Sequence, residues 1–211
     1  MMEGSQSSDD EKTRLRETFD AIASSFDETR REPWDDVREF VEGREGAVAL
    51  DLGCGNGRHL DLLREPFNTV VGMDFSVSML GLCDGAVVRG DLCALPFADS
   101  CADCALCVAA LHHLPSREER INTLDEIARV LRPEGDALVS VWAIEHPKFD
   151  GERDDIRASG GDVYVPWKRG DEERERYYHI HERDGFETLV ADSSLEGTVW
   201  ESDGNYYAHL R

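Results

Sequence analysis

The stretch ALDLGCGNGRHL, residues 49–60, constrains the fold more than any other part of the chain. A short apolar run at 47–52 leads into three glycines spaced two residues apart, and a helix-like segment follows. A buried strand that turns through glycines into a helix is the opening unit of a parallel α/β sheet. Because glycine has no side chain, a ligand can lie directly against the backbone of such a turn.

Apolar runs and helix-like segments alternate along the rest of the chain. Further strands are predicted at 69–74, 86–89, 103–110, 136–144, 198–202 and 205–210, and helices at 13–26, 34–41, 116–131 and 182–191. The helix that starts after Ser116 carries Glu119 three residues on, as a capping box requires. This pattern predicts an α/β fold built on a mostly parallel, doubly wound sheet of seven strands with helices on both faces.

The chain of 211 residues fits a single domain, which we expect to span 13–211. Residues 1–12 are polar and acidic, so a disordered tail is expected there. Residues 147–176 are polar, with a Gly160-Gly161 pair, and are expected to form an insertion loop over the sheet. No apolar stretch approaches 18 residues, which argues against a membrane span.

Charge is the most unusual bulk property of the chain, with 45 Asp and Glu against 23 Lys and Arg. An acid excess in which Arg nearly replaces Lys is typical of a salt-accumulating halophile. Because the Debye length is about 3 Å at 1 M salt, the net charge of −22 says little about contacts with a nucleic acid. The six cysteines indicate reduced thiols in a cytoplasmic protein.

Three of the cysteines, Cys101, Cys104 and Cys107, are spaced three residues apart. On a strand, that spacing places successive thiols on opposite faces, so no metal site is predicted. Cys104 is expected to fill core space, as is Cys54 within the glycine turn.

The glycine turn lacks both the GxGxxG spacing of dinucleotide binders and the GK[ST] ending of a phosphate loop. Asp51 precedes it and would repel a pyrophosphate but attract a cation. Asp74 ends the second strand, where it can accept ribose hydroxyls, and Asp91 follows the third, where it can accept an adenine amino group. Three carboxylates at neighbouring strand ends favour S-adenosylmethionine. The predicted cofactor contacts are Asp51, Gly53, Cys54, Gly55, Gly57, Asp74, Phe75, Asp91, Leu92 and Ala109.

Longer stretches of the chain are more specific than this turn. They are FDETRREPWDDVREF, LHHLPSREERINTLDEIARVLRPEGDALVSVWAIEH, DVYVPWKRGDEERERYYHIH and the closing ESDGNYYAHL. With the glycine turn, they make the chain resemble the tRNA wobble-uridine carboxymethyl methyltransferases, the group that includes the methyltransferase domain of the AlkB-like tRNA enzymes, in a halophilic archaeal form. The resemblance runs from Thr18 to the C-terminus and implies a Rossmann-like class I methyltransferase fold.

The resemblance implies esterification of a 5-carboxymethyl group on the wobble uridine of tRNA. A carboxylate is already an anionic nucleophile, so the site must align it with the sulfonium rather than deprotonate it. Arg or His suits the task of holding it, which makes Arg30 and His113 the catalytic candidates. Further contacts with the substrate, including stacking on an anticodon base, are expected from Trp34, His112, Trp142, Trp167, Arg176, Tyr177 and His179.

Alternatives stay open for several of these residues. Trp34 and Trp142 can belong to the core, His112 and His113 can cap the strand end, and Arg176 can join an exposed ion-pair network with its neighbouring glutamates. The resemblance also implies a small zinc-binding activator that adds a strand to the sheet at 86–89. Two rival functions are a small-molecule carboxyl, oxygen or carbon methyltransferase acting on a quinone or lipid precursor, and a non-catalytic module that binds the cofactor only.

Overall fold

The computed structural model describes residues 3–169 and 172–211. Its helices are α1 (Glu3–Asp27), α2 (Asp35–Val41), α3 (Leu60–Arg64), α4 (Val77–Leu80), α5 (Arg117–Val130), α6 (Arg153–Ala158) and α7 (Arg183–Ala191). Its strands are β1 (Gly46–Leu52), β2 (Phe67–Asp74), β3 (Val87–Arg89), β4 (Ala102–Val108), β5 (Leu131–Trp142), β6 (Asp162–Arg169), β7 (Glu172–His179), β8 (Gly197–Ser202) and β9 (Asn205–Leu210). Two short 3₁₀ turns lie at Leu111–His113 and Pro147–Phe149.

Within the described residues, seven strands form one sheet in the order β3-β2-β1-β4-β5-β9-β8. The first five strands run parallel, and β9 runs antiparallel to both β5 and β8. The predicted mostly parallel, seven-stranded α/β sheet is therefore confirmed. The order reverses between β1 and β4, which opens a crevice at the carboxyl ends of these two strands.

Alternate residues of β4 pack into two separate hydrophobic layers, one on each face of the sheet. Cys104 and Leu106 join the layer formed with α2, whereas Ala105 and Cys107 join the layer formed with α5 and α7. Cys104 thus fills core space on the face opposite Cys107, as their spacing predicts. Among the described residues, no group of three or more His, Cys, Asp or Glu side chains is arranged to hold a metal ion.

The N-terminal helix α1 corrects the prediction of a disordered tail at 1–12 for residues 3–12, which are helical, whereas residues 1–2 lie outside the described part of the chain. The Lys12 ammonium lies 2.9 Å from Asp91 and 3.1 Å from Glu119. The apolar residues of the following turns, Leu15 and Phe19, are buried in a cluster that includes Met79 of α4. Such contacts with distant parts of the chain stabilise a helix that composition alone does not predict.

Residues 147–176 correct a second prediction, because they contain α6 and the antiparallel pair β6–β7 rather than an insertion loop. Ile156, Val165 and Tyr178 share a small hydrophobic core. Most of the solvent-exposed positions of this two-stranded sheet carry charged residues, Tyr164 and Pro166 being the exceptions, so the stretch looks polar although it contributes apolar side chains to a buried core. No helix in the described parts of the chain combines the length and the apolar character that crossing a bilayer requires.

Candidate active site

The glycine turn forms the floor of the candidate site. Gly53, Gly55 and Gly57 have φ values of 75°, 55° and 78°, a region that favours glycine. A Cβ added to Gly53 would lie 2.4 Å from the Cβ of Ala110, so no side chain fits at this position. The N–H groups of Gly53 and Cys54 both donate to the Met73 carbonyl, which fixes the turn against the end of β2.

Two buried carboxylates support this floor. Asp51 is 1% exposed, and its Oδ2 has no hydrogen-bond partner within the described residues. Burial raises the pKa of Asp51 to about 7 and that of Asp74 to about 6. Asp74 accepts N–H groups of Gly55 and Ser76, each at 2.9 Å. A buried carboxylate without a partner is costly, so the unpartnered Asp51 fits the approach of a cationic ligand.

Above this floor lies a cavity at the carboxyl ends of β1 and β4, roofed by Phe19 and Phe26 of α1. Of the predicted cofactor contacts, the cavity wall contains Gly53, Cys54, Gly55, Asp74, Phe75, Asp91, Leu92 and Ala109. Asp51 and Gly57 do not line it. Asp51 lies buried at the end of β1, and Gly57 packs against Cys83 and Leu60.

Asp91 lines the cavity, and its role as an acceptor for an adenine amino group stays a prediction. Its carboxylate already accepts the Lys12 ammonium, at 2.9 and 3.3 Å, and the Cys93 N–H at 2.9 Å. Although burial acts in the opposite direction, these hydrogen bonds lower the pKa of Asp91. In this structure, therefore, Asp91 fastens α1 over the cavity.

Three arginines converge on the other side of the cavity, and we call Arg30, Arg58 and Arg176 the arginine chamber. The guanidinium groups of Arg30 and Arg176 lie 4.9 and 5.0 Å from the Trp167 ring centre. That of Arg58 lies 5.1 Å from the ring centre of Trp34. Within the described residues, none of the three has a carboxylate oxygen within 4 Å, and the buried Nε of Arg176 has no partner at all.

The electrostatics of the arginine chamber favour an anion. Burial, together with the neighbouring charge of Arg30, lowers the pKa of Arg58 to about 10. Burial also lowers the pKa of Arg176, which is only 5% exposed. Cations held this close together without counter-charges form a strong site for a carboxylate or phosphate. The alternative that Arg176 belongs to an exposed ion-pair network is therefore wrong.

The predicted aromatic contacts divide between the cavity and its surroundings. Trp34 and Trp142 both line the cavity, and Trp142 stacks on Tyr178 with ring centres 4.5 Å apart. Trp167 lies behind Arg30 and Arg176, and its indole N–H donates to the Ser25 hydroxyl at 3.0 Å. It therefore positions the arginines rather than forming part of the wall.

Tyr177 and His179 do not line the cavity, so their contact with the substrate stays a prediction and would have to lie outside the cavity wall. The Tyr177 hydroxyl and the His179 imidazole both bind the Asp162 carboxylate, at 2.7 and 2.8 Å. Side chains alternate along a strand, so Arg176 and Tyr178 face the cavity while Tyr177 and His179 face away.

Among the cavity residues that sequence reasoning missed, Arg58 and Tyr178 each had a signal in the sequence. Arg58 directly follows the last glycine of the turn, and Tyr178 stands two residues after the predicted Arg176. The period of two along β7 selects Tyr178 as soon as Arg176 is placed in the site.

His112 and His113 both line the cavity from the 3₁₀ turn that follows β4. Nδ1 of His113 lies 2.8 Å from the Tyr177 carbonyl oxygen, and Nδ1 of His112 accepts the Trp142 N–H at 3.0 Å. Burial lowers the pKa of His113 to about 3 and that of His112 well below its usual value. Both rings are therefore neutral at pH 7, and a neutral His113 is poorly suited to its predicted role of holding a carboxylate.

Residues 50–139 match the family model of a methyltransferase domain. The chain is 32% identical over 160 residues to the tRNA (carboxymethyluridine(34)-5-O)-methyltransferase of Schizosaccharomyces pombe, covering 74% of this chain and 68% of that protein. It is 34% identical over 198 residues to a putative methyltransferase of Encephalitozoon cuniculi, covering 87% of this chain and 90% of that one. The chain belongs to the class I S-adenosylmethionine-dependent methyltransferases.

Other relatives of this methyltransferase are much longer than it is. The chain is 33% identical to mouse tRNA (carboxymethyluridine(34)-5-O)-methyltransferase ALKBH8 and 37% identical to the Arabidopsis thaliana enzyme, over 139 residues each. It covers 21% and 34% of these two proteins, and 64% of this chain is matched in both cases. The chain therefore spans about a fifth to a third of the length of these curated relatives.

Solved structures share the fold of the methyltransferase at low sequence identity. A complex of DhpI with SAM and HEP has a TM-score of 0.71 at 19% identity, covering 94% of this chain and 98% of that one. A complex between the Haloferax volcanii Trm112 methyltransferase activator and a putative methyltransferase has a TM-score of 0.67 at 19% identity, covering 93% and 97%. These likenesses show the fold, whereas the cofactor, S-adenosylmethionine, follows from the methyltransferase family to which the chain belongs. Both the glycine turn and the unpartnered Asp51 fit it.

Proposed function

We propose that this methyltransferase esterifies the 5-carboxymethyl group of the wobble uridine of tRNA. The observation that carries the proposal is the arginine chamber, in which Arg176 is buried and Arg30 and Arg58 are half-buried, with no ion pair to a carboxylate within the described residues; it opens onto the same cavity as the glycine turn. An acceptor that is itself a carboxylate is the chemistry that such a chamber selects. The named relatives of 32 to 37% identity support the choice of tRNA as the molecule that carries it.

Two carboxylates have to be accommodated, because the methionine moiety of the cofactor carries one and the acceptor the other. Arg58 is the chamber arginine whose charge interacts with Asp51. We therefore assign Arg58 to the carboxylate of the cofactor. We assign Asp51, which is buried two residues before Gly53 of the cavity wall, to the charge of the cofactor's ammonium. Arg30 and Arg176 share the Trp167 ring and are assigned to the carboxylate of the acceptor.

S-adenosylmethionine supplies an electrophilic methyl group when it is bound, and the protein has to bring an acceptor oxygen in line with it. A carboxyl group with a pKa near 4 is ionised at neutral pH, so no general base is required. Arg30 and Arg176 can hold one acceptor oxygen and leave the other free to attack. The aromatic roof of Phe19 and Phe26 excludes water, which strengthens these charge interactions.

The edge strand β3 supports the proposal of a small zinc-binding activator as partner. It has three residues and pairs only with β2 among the described strands, so its outer edge can accept another strand. The exposed apolar side chains of Val77 and Leu82 lie in and just after α4, next to this edge. Full activity of the chain purified alone, in molar KCl, would remove the activator from the proposal.

The setting of the reaction is part of the same proposal. We place it in the cytoplasm of a salt-accumulating cell, which the unpaired cysteines and the acid excess support. In molar salt, charge repulsion between the acidic surface and tRNA decays over about 3 Å, so a net charge of −22 is compatible with binding.

The test is methyl transfer to tRNA that carries 5-carboxymethyluridine, with nucleosides analysed by mass spectrometry, in the presence and absence of the activator. R30A and R176A should each lower kcat/KM for tRNA by about 50-fold or more, the cost of truncating a charge-assisted hydrogen bond, and leave the Kd for the cofactor unchanged. R58A should instead raise that Kd.

The matched control is R174A, because Arg174 is exposed on the same strand β7 and outside the cavity. It should change neither kcat/KM nor the Kd for the cofactor. Methyl transfer to an extracted metabolite fraction, with none to tRNA, would instead support the small-molecule rival. Cofactor binding without any methylated product would support the non-catalytic rival.

A further inference from the structure

His112 and His113 present opposite hydrogen-bonding groups to the cavity. Their ring centres are 4.7 Å apart and their planes are almost perpendicular, at 83°. Both side chains line the cavity. The Nε2 atoms of His59 and His181 are fully enclosed without a partner, but those of His112 and His113 are not among the enclosed, unpartnered atoms of the described residues.

The protonation of each ring follows from what its Nδ1 binds. The partner of Nδ1 in His113 is the Tyr177 carbonyl oxygen, which can only accept, so Nδ1 carries the proton. Because the ring is neutral, its Nε2 is an acceptor. The partner of Nδ1 in His112 is the Trp142 N–H, which can only donate, so Nδ1 carries a lone pair and Nε2 carries the proton. Its Nε2–H is a donor.

Neither ring can exchange these roles easily. Both Nδ1 partners are main-chain groups, one in β7 and one at the end of β5, and their positions are set by the strands. The Tyr178 ring packs against both imidazoles, with centres 4.9 Å from His112 and 4.3 Å from His113. A change of tautomer in either ring would place two donors or two acceptors against each other in a buried contact. The free-energy cost would exceed that of losing the hydrogen bond alone.

We propose that His112 and His113 read the base of the acceptor nucleotide, with His113 accepting the N3–H of uracil and His112 donating to its O4. This inference rests on the proposed function, since it assumes that the carboxymethyl group is carried by a pyrimidine. Cytosine presents the opposite pattern, an acceptor at N3 and a donor at N4, so it would place like groups against each imidazole.

The position of the arginine chamber agrees with this orientation. The 5-substituent of uracil is bonded to C5, the carbon next to the C4 carbonyl. When O4 is bound by His112, that substituent therefore lies beside the two histidines. Tyr178 contacts both imidazoles and also lies 5.3 Å from the Arg176 guanidinium. The base-reading pair and the chamber are thus separated by a single ring.

The experiment compares RNA anticodon stem-loops that carry 5-carboxymethyluridine, 5-carboxymethylcytidine or N3-methylated 5-carboxymethyluridine. The wild type should esterify the first with a kcat/KM at least about 100-fold above either of the others, because sites built on buried polar groups strongly reject analogues that leave those groups unpaired. H113Q should narrow the preference for uridine over cytidine, because a glutamine amide can rotate to donate as well as accept. H146Q is the control, since His146 lies outside the cavity wall and caps the turn at Lys148.

Nitrogen-15 NMR of the wild-type imidazoles gives a readout that does not depend on catalysis. The expected result is a proton on Nδ1 of His113 and on Nε2 of His112. Three results would each overturn the inference. They are the opposite tautomers, equal kcat/KM for the uridine and cytidine stem-loops, and a preference for uridine that H113Q leaves unchanged. Equal esterification of both bases would leave the proposed function intact, whereas failure to modify any stem-loop while metabolites are methylated would overturn the proposed function itself.

Discussion

Lowering the pH should weaken cofactor binding through Asp51. Burial, reinforced by the charge of Asp74 and only partly offset by Arg58, raises the pKa of Asp51 to about 7. A carboxyl with a raised pKa is already protonated in mildly acidic solution, and it has to lose that proton before it can pair with the ammonium of S-adenosylmethionine. Affinity should therefore be highest above pH 7 and fall as the pH drops below it.

The size of the effect follows from this pKa. At pH 5.5 a group with a pKa of 7 is about 97% protonated, and at pH 7.5 about 24%, so the Kd should rise about 25-fold between the two. Asp74, whose pKa burial raises to about 6, adds a factor of up to about four if its ionised form is also needed. The α-amino group of the cofactor titrates near pH 8, so it is fully charged at pH 5.5 and about three-quarters charged at pH 7.5, which reduces the 25-fold rise from Asp51 to about 20-fold.

Isothermal titration calorimetry in constant molar KCl measures both the Kd and the protons released. Two buffers of different ionisation enthalpy should report release of about one proton from Asp51 at pH 5.5. At pH 7.5 they should report almost no net release, because the quarter of a proton that Asp51 loses is offset by uptake on the α-amino group. D51N keeps the size of the side chain but removes its titration. It should bind the cofactor weakly, with a Kd that changes no more than about fourfold over this range, the part that Asp74 can contribute. A wild-type Kd that changes less than about threefold, with no proton released at pH 5.5, would refute the reasoning.

Two further substitutions test the architecture of the site. G53A should lower the free energy of unfolding by about 2 kcal/mol more than G43A does in urea titrations. Both glycines have a φ of 75°, but only at Gly53 would an added Cβ clash with Ala110. Equal losses in the two variants would mean that a small shift relieves the clash. K12A should speed amide hydrogen exchange across the first half of α1 by about 30-fold, because it removes two ion pairs of a half-buried ammonium. R14A, an exposed control on the same helix, should change the exchange rate less than threefold, and similar exchange in both variants would contradict the role of Lys12.

The sheet and the floor of the site could be predicted from the sequence because their signals are local. A buried strand, a glycine turn and a following helix lie within about a dozen residues in the stretch that contains Asp51, and parallel strands bring Asp74 to the same edge. The capping box between Ser116 and Glu119 is likewise a local pattern, and the structure confirms it.

The remaining features depend on contacts between distant parts of the chain. Helix α1 extends to Glu3 because Lys12 meets carboxylates far away in sequence, which the acidic composition of the first residues conceals. In β7, whether Tyr177 or Tyr178 lines the cavity depends on which face of the strand is turned toward the cavity. The neutral state of His113 depends on its burial, and its tautomer depends on a carbonyl in that same strand. The sequence thus predicts which types of residue lie at the site, but not which face of its strand or helix each of them occupies.

The central claim, that the arginine chamber holds a carboxylate whose oxygen receives the methyl group, is tested most directly by the alkali lability of the product. Substrate tRNA is methylated with cofactor labelled in its methyl group, purified and treated with mild alkali. A carboxylate ester should release all of its label as methanol and restore 5-carboxymethyluridine. Label that stays on the RNA through this treatment would show a nitrogen, carbon or ribose acceptor and would contradict the account.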